Sequence, residues 1–236
     1  MKKRMWFLLI IIMLAGVIGF FIPAGGSGVH WKALVPAAFV MASIPGANQL
    51  LSFRNGLRQG TAVAIYASGG RFTAFALMIG AVALGLSALL ETSTLIFILL
   101  KWVGVLYLAW LGISTLVSSK KEYTDDEPAS SPEKRSALGF AKQEFLVAAA
   151  NPKALLLFTV FLPQFIEAGG HGTGGQIILA GAAYILIEAL CATVYAFIGG
   201  KMRATGLSGK MKKRLDRITG GSLLGLALWL STEEQK

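Results

Sequence analysis

Arg71, Lys153 and Glu188 each lie deep inside an apolar stretch of this 236-residue chain. A charge at the centre of a bilayer-spanning helix costs at least about 2.5–3.5 kcal/mol on insertion scales. Lys153 lies 11 residues into the stretch 143–166, Arg71 lies 11 past Gly60, and Glu188 lies 12 before Gly200. At a rise of 1.5 Å per residue, all three sit roughly 16–18 Å from the inner edge of a membrane and can share one layer. Pairing Glu188 with Lys153 or Arg71 is the economical arrangement. One consequence would be a buried ion pair that fixes helix register. The other is a site for a zwitterion, in which Lys153 or Arg71 draws a carboxylate and Glu188 draws an amine or carries a proton.

Two prolines stand beside these charges. Pro45, in Ala42-Ser43-Ile44-Pro45-Gly46-Ala47, and Pro152, in Ala149-Ala150-Asn151-Pro152-Lys153-Ala154, are 107 residues apart and each interrupts an apolar stretch. Proline removes a backbone donor and clashes with the carbonyl four residues back. Within a bilayer the freed carbonyls need protein, water or a ligand as partner. Two interrupted helices meeting near the midplane would line a solvated gap, with half-helix N-termini favouring anions and exposed carbonyls favouring cations. The alternative is a pair of packing kinks.

The elements that must position these groups are long apolar helices. Hydrophobic residues make up 55% of the chain and charged residues only 14%, with a mean hydropathy of +0.65. A soluble domain carries about 25% charge. Seven apolar segments run over 5–22, 33–53, 61–90, 95–117, 143–166, 176–199 and 218–231. Most reach the length of a spanning helix, and their continuous rather than alternating pattern argues against strands. The last segment covers only about 21 Å and is expected to start earlier, within Lys210–Arg217, whose side chains would snorkel to the interface. The expected fold is an all-α integral membrane protein: a six-helix core of two inverted three-helix repeats plus an extra N-terminal hydrophobic helix. Residues 1–30 form that helix, read as an uncleaved anchor rather than a signal sequence. Residues 31–236 form the main domain, with one repeat over 33–117, a polar cytoplasmic linker over 118–142 and the second repeat over 143–231. Three spans per half make the halves face opposite ways.

Placing the N-terminus inside divides the Lys and Arg residues 17 inside to 2 outside, with three more inside spans. Basic residues favour the cytoplasmic side, so the expectation is N-terminus in, C-terminus out. This accounts for the net charge of +10 without nucleic acid. The single cysteine, Cys191, excludes an internal disulfide and a CxxC pair, and His30 and His171 lie far apart in expected loops. No metal and no cofactor are expected.

Other residues read more simply. Lys101 is expected to snorkel. Glu91 and Glu167, at outer span ends, are expected to be solvated, and so is Glu144 at an inner end. Gly69-Gly70, Gly80, Gly85, Gly104, Gly112, Gly221 and Gly225 suit close helix packing. Gly69-Gly70 could also break the long span 61–90 and let the chain approach a ligand. Cys191 is expected to be an inert packing residue. Trp6, Trp31 and Trp229, near span ends, read as interface anchors.

Asn151-Pro152-Lys153-Ala154, followed by Phe161-Leu162-Pro163-Gln164-Phe165, resembles the lysine-exporter (LysE/RhtB) family of amino-acid efflux proteins. Ile44-Pro45-Gly46-Ala47-Asn48 resembles that family's Pro-Gly-Pro motif. Lys101-Trp102-Val103-Gly104, Tyr107 and Trp110-Leu111-Gly112 fit its third-helix pattern. The resemblance covers about residues 33–231. It implies a bacterial cytoplasmic-membrane secondary transporter, driven by the proton gradient, that exports amino acids or related small zwitterions. Ala47 replaces the motif's second proline, residues 1–30 are additional, and Arg71 stands where a neutral or acidic residue is expected. A more acidic substrate or a different coupling ion therefore stays open. The candidate substrate or coupling residues are Pro45, Gly46, Asn48, Arg71, Asn151, Pro152, Lys153 and Glu188. Expected partners are the small metabolite, the lipid bilayer and a second copy of the chain.

Three other functions compete. Export of another small anion or inorganic ion is one; scarce Cys, His and intramembrane acids disfavour soft or divalent cations. A membrane enzyme or electron carrier is disfavoured by the lack of paired carboxylates and metal ligands. A non-transporting scaffold is the third, and it would need the midplane charges for folding alone.

Overall fold

The computed structural model describes residues 27–85, 94–121, 136–167, 172–205 and 209–232. Most of the N-terminal helix expected over 1–30, most of the polar linker, Glu91, His171 and the side chains of Lys101 and Trp229 lie outside the described residues. The elements are α1 (Trp31–Ser43), α2 (Ala47–Gln59), α3 (Thr61–Ala83), α4 (Thr94–Lys121), α5 (Ala137–Ala149), α6 (Pro152–Leu156), α7 (Thr173–Ala204) and α8 (Gly209–Thr232). A π turn at Leu157–Phe161 and a 3₁₀ turn at Leu162–Phe165 extend α6. Among the described residues the only strand-like pairing is an isolated bridge between Val29 and Ile166. The protein is all-helical, and its apolar helices mark it as a multi-pass membrane protein.

Among the described residues two helices, α3 and α7, are long and apolar enough to cross a bilayer unaided. Two more spans arise when broken pairs are read as units. The α1–α2 pair bends by 57°, and the pair formed by α5 and Lys153–Phe165 bends by 62°. Both breaks fall at the prolines read from the sequence. α2 continues through Arg54 to Gln59, well past the apolar limit at residue 53. α5 begins at Ala137 rather than at 143, with Ser136 as its N-cap accepting from Gly139 N. The early start expected for the last segment is met, since α8 begins at Gly209.

Glycines set how closely the helices pack. Gly56 lies against the Ala196 carbonyl and Gly199 against the Phe53 carbonyl, which brings α2 and α7 into backbone contact. Gly70 lies against the Ala141 carbonyl where α3 crosses α5, and Gly112 meets Gly220 where α4 crosses α8. Small residues let membrane helices approach this way without a hydrophobic driving force. A single helix runs through Gly69-Gly70, so the break does not occur and the packing reading holds at Gly70. Two other expectations need correction. Among the described residues, a Cβ at Gly69, Gly80, Gly85, Gly221 or Gly225 would meet nothing within 4 Å, so these glycines are not needed for packing there. Trp31 is no interface anchor: it is 5% exposed, and its indole N–H donates to Ser27 Oγ at 2.9 Å.

The molecule is apolar toward one end of the broken spans and polar toward the other. Leu34, Val35, Ala38, Phe75, Ile79, Phe158, Leu162, Ile177 and Ala180 form a continuous core. At the opposite end α2 buries Asn48, Gln49, Ser52, Arg54 and Asn55. The site lies where these two regions meet.

Candidate functional site

A helix that stops inside protein leaves its last carbonyls without intrahelical donors. α1 stops at Ser43 because Pro45 cannot continue the ladder. Each freed carbonyl is met by a side chain from elsewhere. Lys153 Nζ donates to Met41 O at 2.6 Å and to Ile44 O at 3.2 Å. Gln49 Nε2 donates to Ala42 O at 2.8 Å, and the Tyr195 hydroxyl donates to Ser43 O at 3.0 Å. Groups from α2, α6 and α7 thus converge on one helix end.

The second break is built differently. Asn151 caps α6, its Oδ1 accepting from Lys153 N at 3.0 Å, and Pro152 takes the first position, where no N–H is needed. The amide of Asn151 donates across to Asn48 Oδ1 at 3.0 Å. The two breaks therefore touch, through residues 103 apart in sequence.

Beneath them lies Arg71, fully buried in α3. Its Nε donates to Glu144 Oε2 at 3.1 Å, and a terminal nitrogen reaches the same oxygen at 2.6 Å. The other terminal nitrogen donates to Glu188 Oε1 at 3.1 Å. Arg71 also donates to Ser52 Oγ at 2.7 Å and to the Asn48 carbonyl. Ser52 and Asn55 support Glu144 at 3.4 and 3.3 Å, while Gln49 and Tyr184 hold Glu188 at 2.9 and 3.3 Å. Buried ion pairs are tolerable only when their remaining donors and acceptors are satisfied in this way. One guanidinium joins α2, α3, α5 and α7.

The sequence placed Arg71 and Glu188 in one layer, and they are in contact. Lys153 lines the same small cavity as Glu188, but its ammonium rests on the α1 carbonyls, and Glu188 pairs with Arg71. Glu144 corrects the expectation of a solvated helix end: it is 0% exposed and is Arg71's nearest carboxylate. Arg54 and Arg58, two of the 17 basic residues assigned to the inside, belong to α2 rather than to a loop, and both pair with Asp216 of α8, which is itself buried. Glu167 is exposed as expected.

Gln49, Ser52, Asn55, Tyr184, Tyr195 and Asp216 were missed. A signal for some of them exists: Asn48, Ser52, Asn55 and Gln59 recur at steps of three and four, which marks one polar helix face.

Asn48, Gln49, Phe75, Asn151, Lys153, Ala154, Leu157, Tyr184 and Glu188 line the cavity between the breaks. Its water-accessible space is about 10 Å³, room for roughly one water. Phe75, Phe158 and Tyr184 close it toward the apolar end, with ring centroids 5.1 Å apart for Phe75–Phe158 and 5.6 Å for Phe158–Tyr184. A larger concavity of about 580 Å³, between Tyr66–Thr73 of α3 and Leu138–Leu146 of α5, opens on the outside of that helix pair.

A polar, ion-paired centre held between two bent helix pairs of a multi-pass helical protein is the arrangement a membrane translocator needs. The chain belongs to the LysE type translocator family, whose model matches residues 39–234. It is 29% identical over 202 residues to the uncharacterized membrane protein YrhP of Bacillus subtilis, covering 83% of this chain and 95% of that one. It is 27% identical over 205 residues to an uncharacterized membrane protein of Vibrio cholerae, covering 86% and 96%. It is 28% identical over 201 residues to the leucine efflux protein of an Enterobacter strain, covering 83% and 89%. No solved structure matches the chain.

Proposed function

We propose that this protein is a secondary transporter that exports amino acids or related small zwitterions across the bacterial cytoplasmic membrane, driven by the proton gradient. The observation that carries the reading is the meeting of the two breaks, Asn48 to Asn151 at 3.0 Å, beside an ammonium and a carboxylate that line one cavity. The names of the leucine efflux relatives support an amino acid as the cargo.

In this account two inverted three-span halves, divided by the linker 118–142, rock about the gap. The N-terminus lies inside and the C-terminus outside, as the basic residues favour. The polar face of α2 then points to the cytoplasm, and the Phe75–Phe158–Tyr184 cluster closes the outer side. With room for about one water, the gap takes cargo only when the halves separate. Arg71 is the fixed keystone, since its donors are engaged by Glu144, Glu188, Ser52 and Asn48. The Arg71–Glu144–Glu188 group carries one net negative charge when all three are ionised. A proton taken by either carboxylate neutralises it, and that is the proposed coupling.

The test is efflux from cells loaded with mixed dipeptides, with and without the protein and with Lys153→Ala at matched membrane level. Appearance of one or a few amino acids outside, lost in the variant, is expected. No change for any amino acid would remove the proposal.

A further inference from the structure

The N-terminus of α2 faces the cavity without a cap. Gly46 holds the N-cap position and supplies no side-chain hydrogen bond, and Asn48 and Gln49 of the first turn of this 13-residue helix line the gap. Such a terminus attracts anions through its unshared N–H groups and the helix dipole. Asn48, 2% exposed, also lines the gap, and its amide nitrogen has no hydrogen-bond partner although its oxygen accepts from Asn151. A buried donor left unused beside an uncapped helix end is the second sign that an acceptor belongs there.

Gly46 supplies a third. Its φ of −131° and ψ of −170° are extended values open to any residue. A Cβ at this position would meet Gln49 Oε1 and Lys153 Cδ at 3.8 Å, ordinary contact distances. Neither conformation nor protein packing therefore requires glycine here. Glycine is itself an accepted N-cap residue, and having no side chain it leaves the helix terminus uncovered for a ligand.

The opposite polarity stands across the same gap. Glu188 faces it, already paired with Arg71 at 3.1 Å and steadied by Gln49 at 2.9 Å and Tyr184 at 3.3 Å. Phe75, Leu157 and Ala154 complete the lining with apolar surface.

We propose that the α2 N-terminus, the Asn48 amide and the Lys153 ammonium form the carboxylate subsite of the transported amino acid, with Glu188 receiving its ammonium and Phe75 and Leu157 contacting an aliphatic side chain. This rests on the export reading and adds the direction in which the substrate lies: main-chain end across the two breaks, side chain toward the aromatic cluster. A neutral amide in place of the carboxylate loses its attraction to the helix terminus and to Lys153. An acid without the amine loses Glu188.

The test is equilibrium binding of labelled L-leucine to the purified full-length protein, with L-leucinamide and 4-methylpentanoate as competitors. The wild type, Asn48→Asp and Gly46→Ala are compared. Wild type is expected to bind leucine at least tenfold more tightly than either competitor. Asn48→Asp places a negative oxygen where the donor was, and Gly46→Ala covers the helix terminus; each should weaken leucine binding at least tenfold. Asn48→Asp should also abolish the preference for leucine over leucinamide, a readout that loss of structure alone does not produce.

Leucinamide competing with the wild type as well as leucine does, or leucine binding unchanged in Gly46→Ala, would overturn the subsite. Should Asn48→Asp fail to fold, the analogue comparison on wild type and the Gly46→Ala variant still decide. A wild type that exports amino acids but shows no carboxylate preference removes this inference alone. One that neither exports nor binds any amino acid removes the export reading as well.

Discussion

The ammonium of Lys153 lies 2.6 Å from the carbonyl oxygen of Met41, so a charge carried by one broken span closes the open end of the other. Loss of that ammonium strands two carbonyls at a helix end. A buried acceptor left unsatisfied costs roughly 1–3 kcal/mol. Lys153→Met should therefore lower the melting temperature of the purified protein and reduce efflux at least tenfold at equal membrane level. Unchanged stability would mean that water caps the α1 carbonyls equally well.

Arg71 should be the least replaceable residue. Arg71→Met leaves Glu144 and Glu188 buried without a counter-charge, and breaking such a network by one partner costs about 3–5 kcal/mol. The expected result is a collapse of monodisperse protein in size-exclusion profiles. The triple change Arg71→Met, Glu144→Gln, Glu188→Gln should recover much of the folded protein but none of the transport. Equal loss of fold in single and triple variants would argue against an electrostatic keystone.

Adjacent glycines give a contrast with an internal control. A Cβ at Gly70 would fall on the Ala141 carbonyl, whereas at Gly69 it would meet nothing within 4 Å. Gly70→Ala forces α3 and α5 apart and should destabilise by about 1–3 kcal/mol, the usual range for overpacking. Gly69→Ala should be neutral or slightly stabilising, because alanine is the better helix former. Thermal unfolding of the two purified variants checks this, and similar values would contradict the α3–α5 crossing.

The Gly221-x-x-x-Gly225 pattern reads as a packing motif, yet both residues face open space in the folded chain. Gly221→Ala and Gly225→Ala should leave unfolding within about 0.5 kcal/mol of wild type, as surface changes do. A larger loss, accompanied by a change in oligomeric state, would show that this face meets another chain.

How much of this was legible follows from what each residue does to a hydropathy pattern. Pro45 and Pro152 announce their breaks because no apolar context restores a missing N–H. Arg71 and Glu188 stand out because a charge in the middle of a span needs a partner. Glu144 and Asp216 carry the same need but stand at the margins of apolar windows, where a charge is normally wetted. Hydropathy could not show that α5 begins at Ala137, or that α2 runs past residue 53 so that Arg54 and Arg58 reach Asp216. The role of Lys153 was open for a related reason: the sequence gives its depth but not its direction. Direction depends on the bend at each break, which places the α1 carbonyls nearer to the ammonium than Glu188 is to forming an ion pair with it.

The central claim is that the two halves must separate at these breaks for cargo to pass. Ser43 Oγ at the end of α1 lies 3.7 Å from the sulfur of Cys191 on α7, the chain's single cysteine. Ser43→Cys therefore places two thiols within reach of a disulfide that ties the first break to α7. Amino-acid efflux would be measured in this one variant before oxidation, after oxidation with a membrane-permeant oxidant, and after reduction. The account predicts that the disulfide forms, that efflux stops with it, and that reductant restores both. A disulfide formed to completion with undiminished efflux would contradict the motion, and thiols that cannot be linked would contradict the geometry.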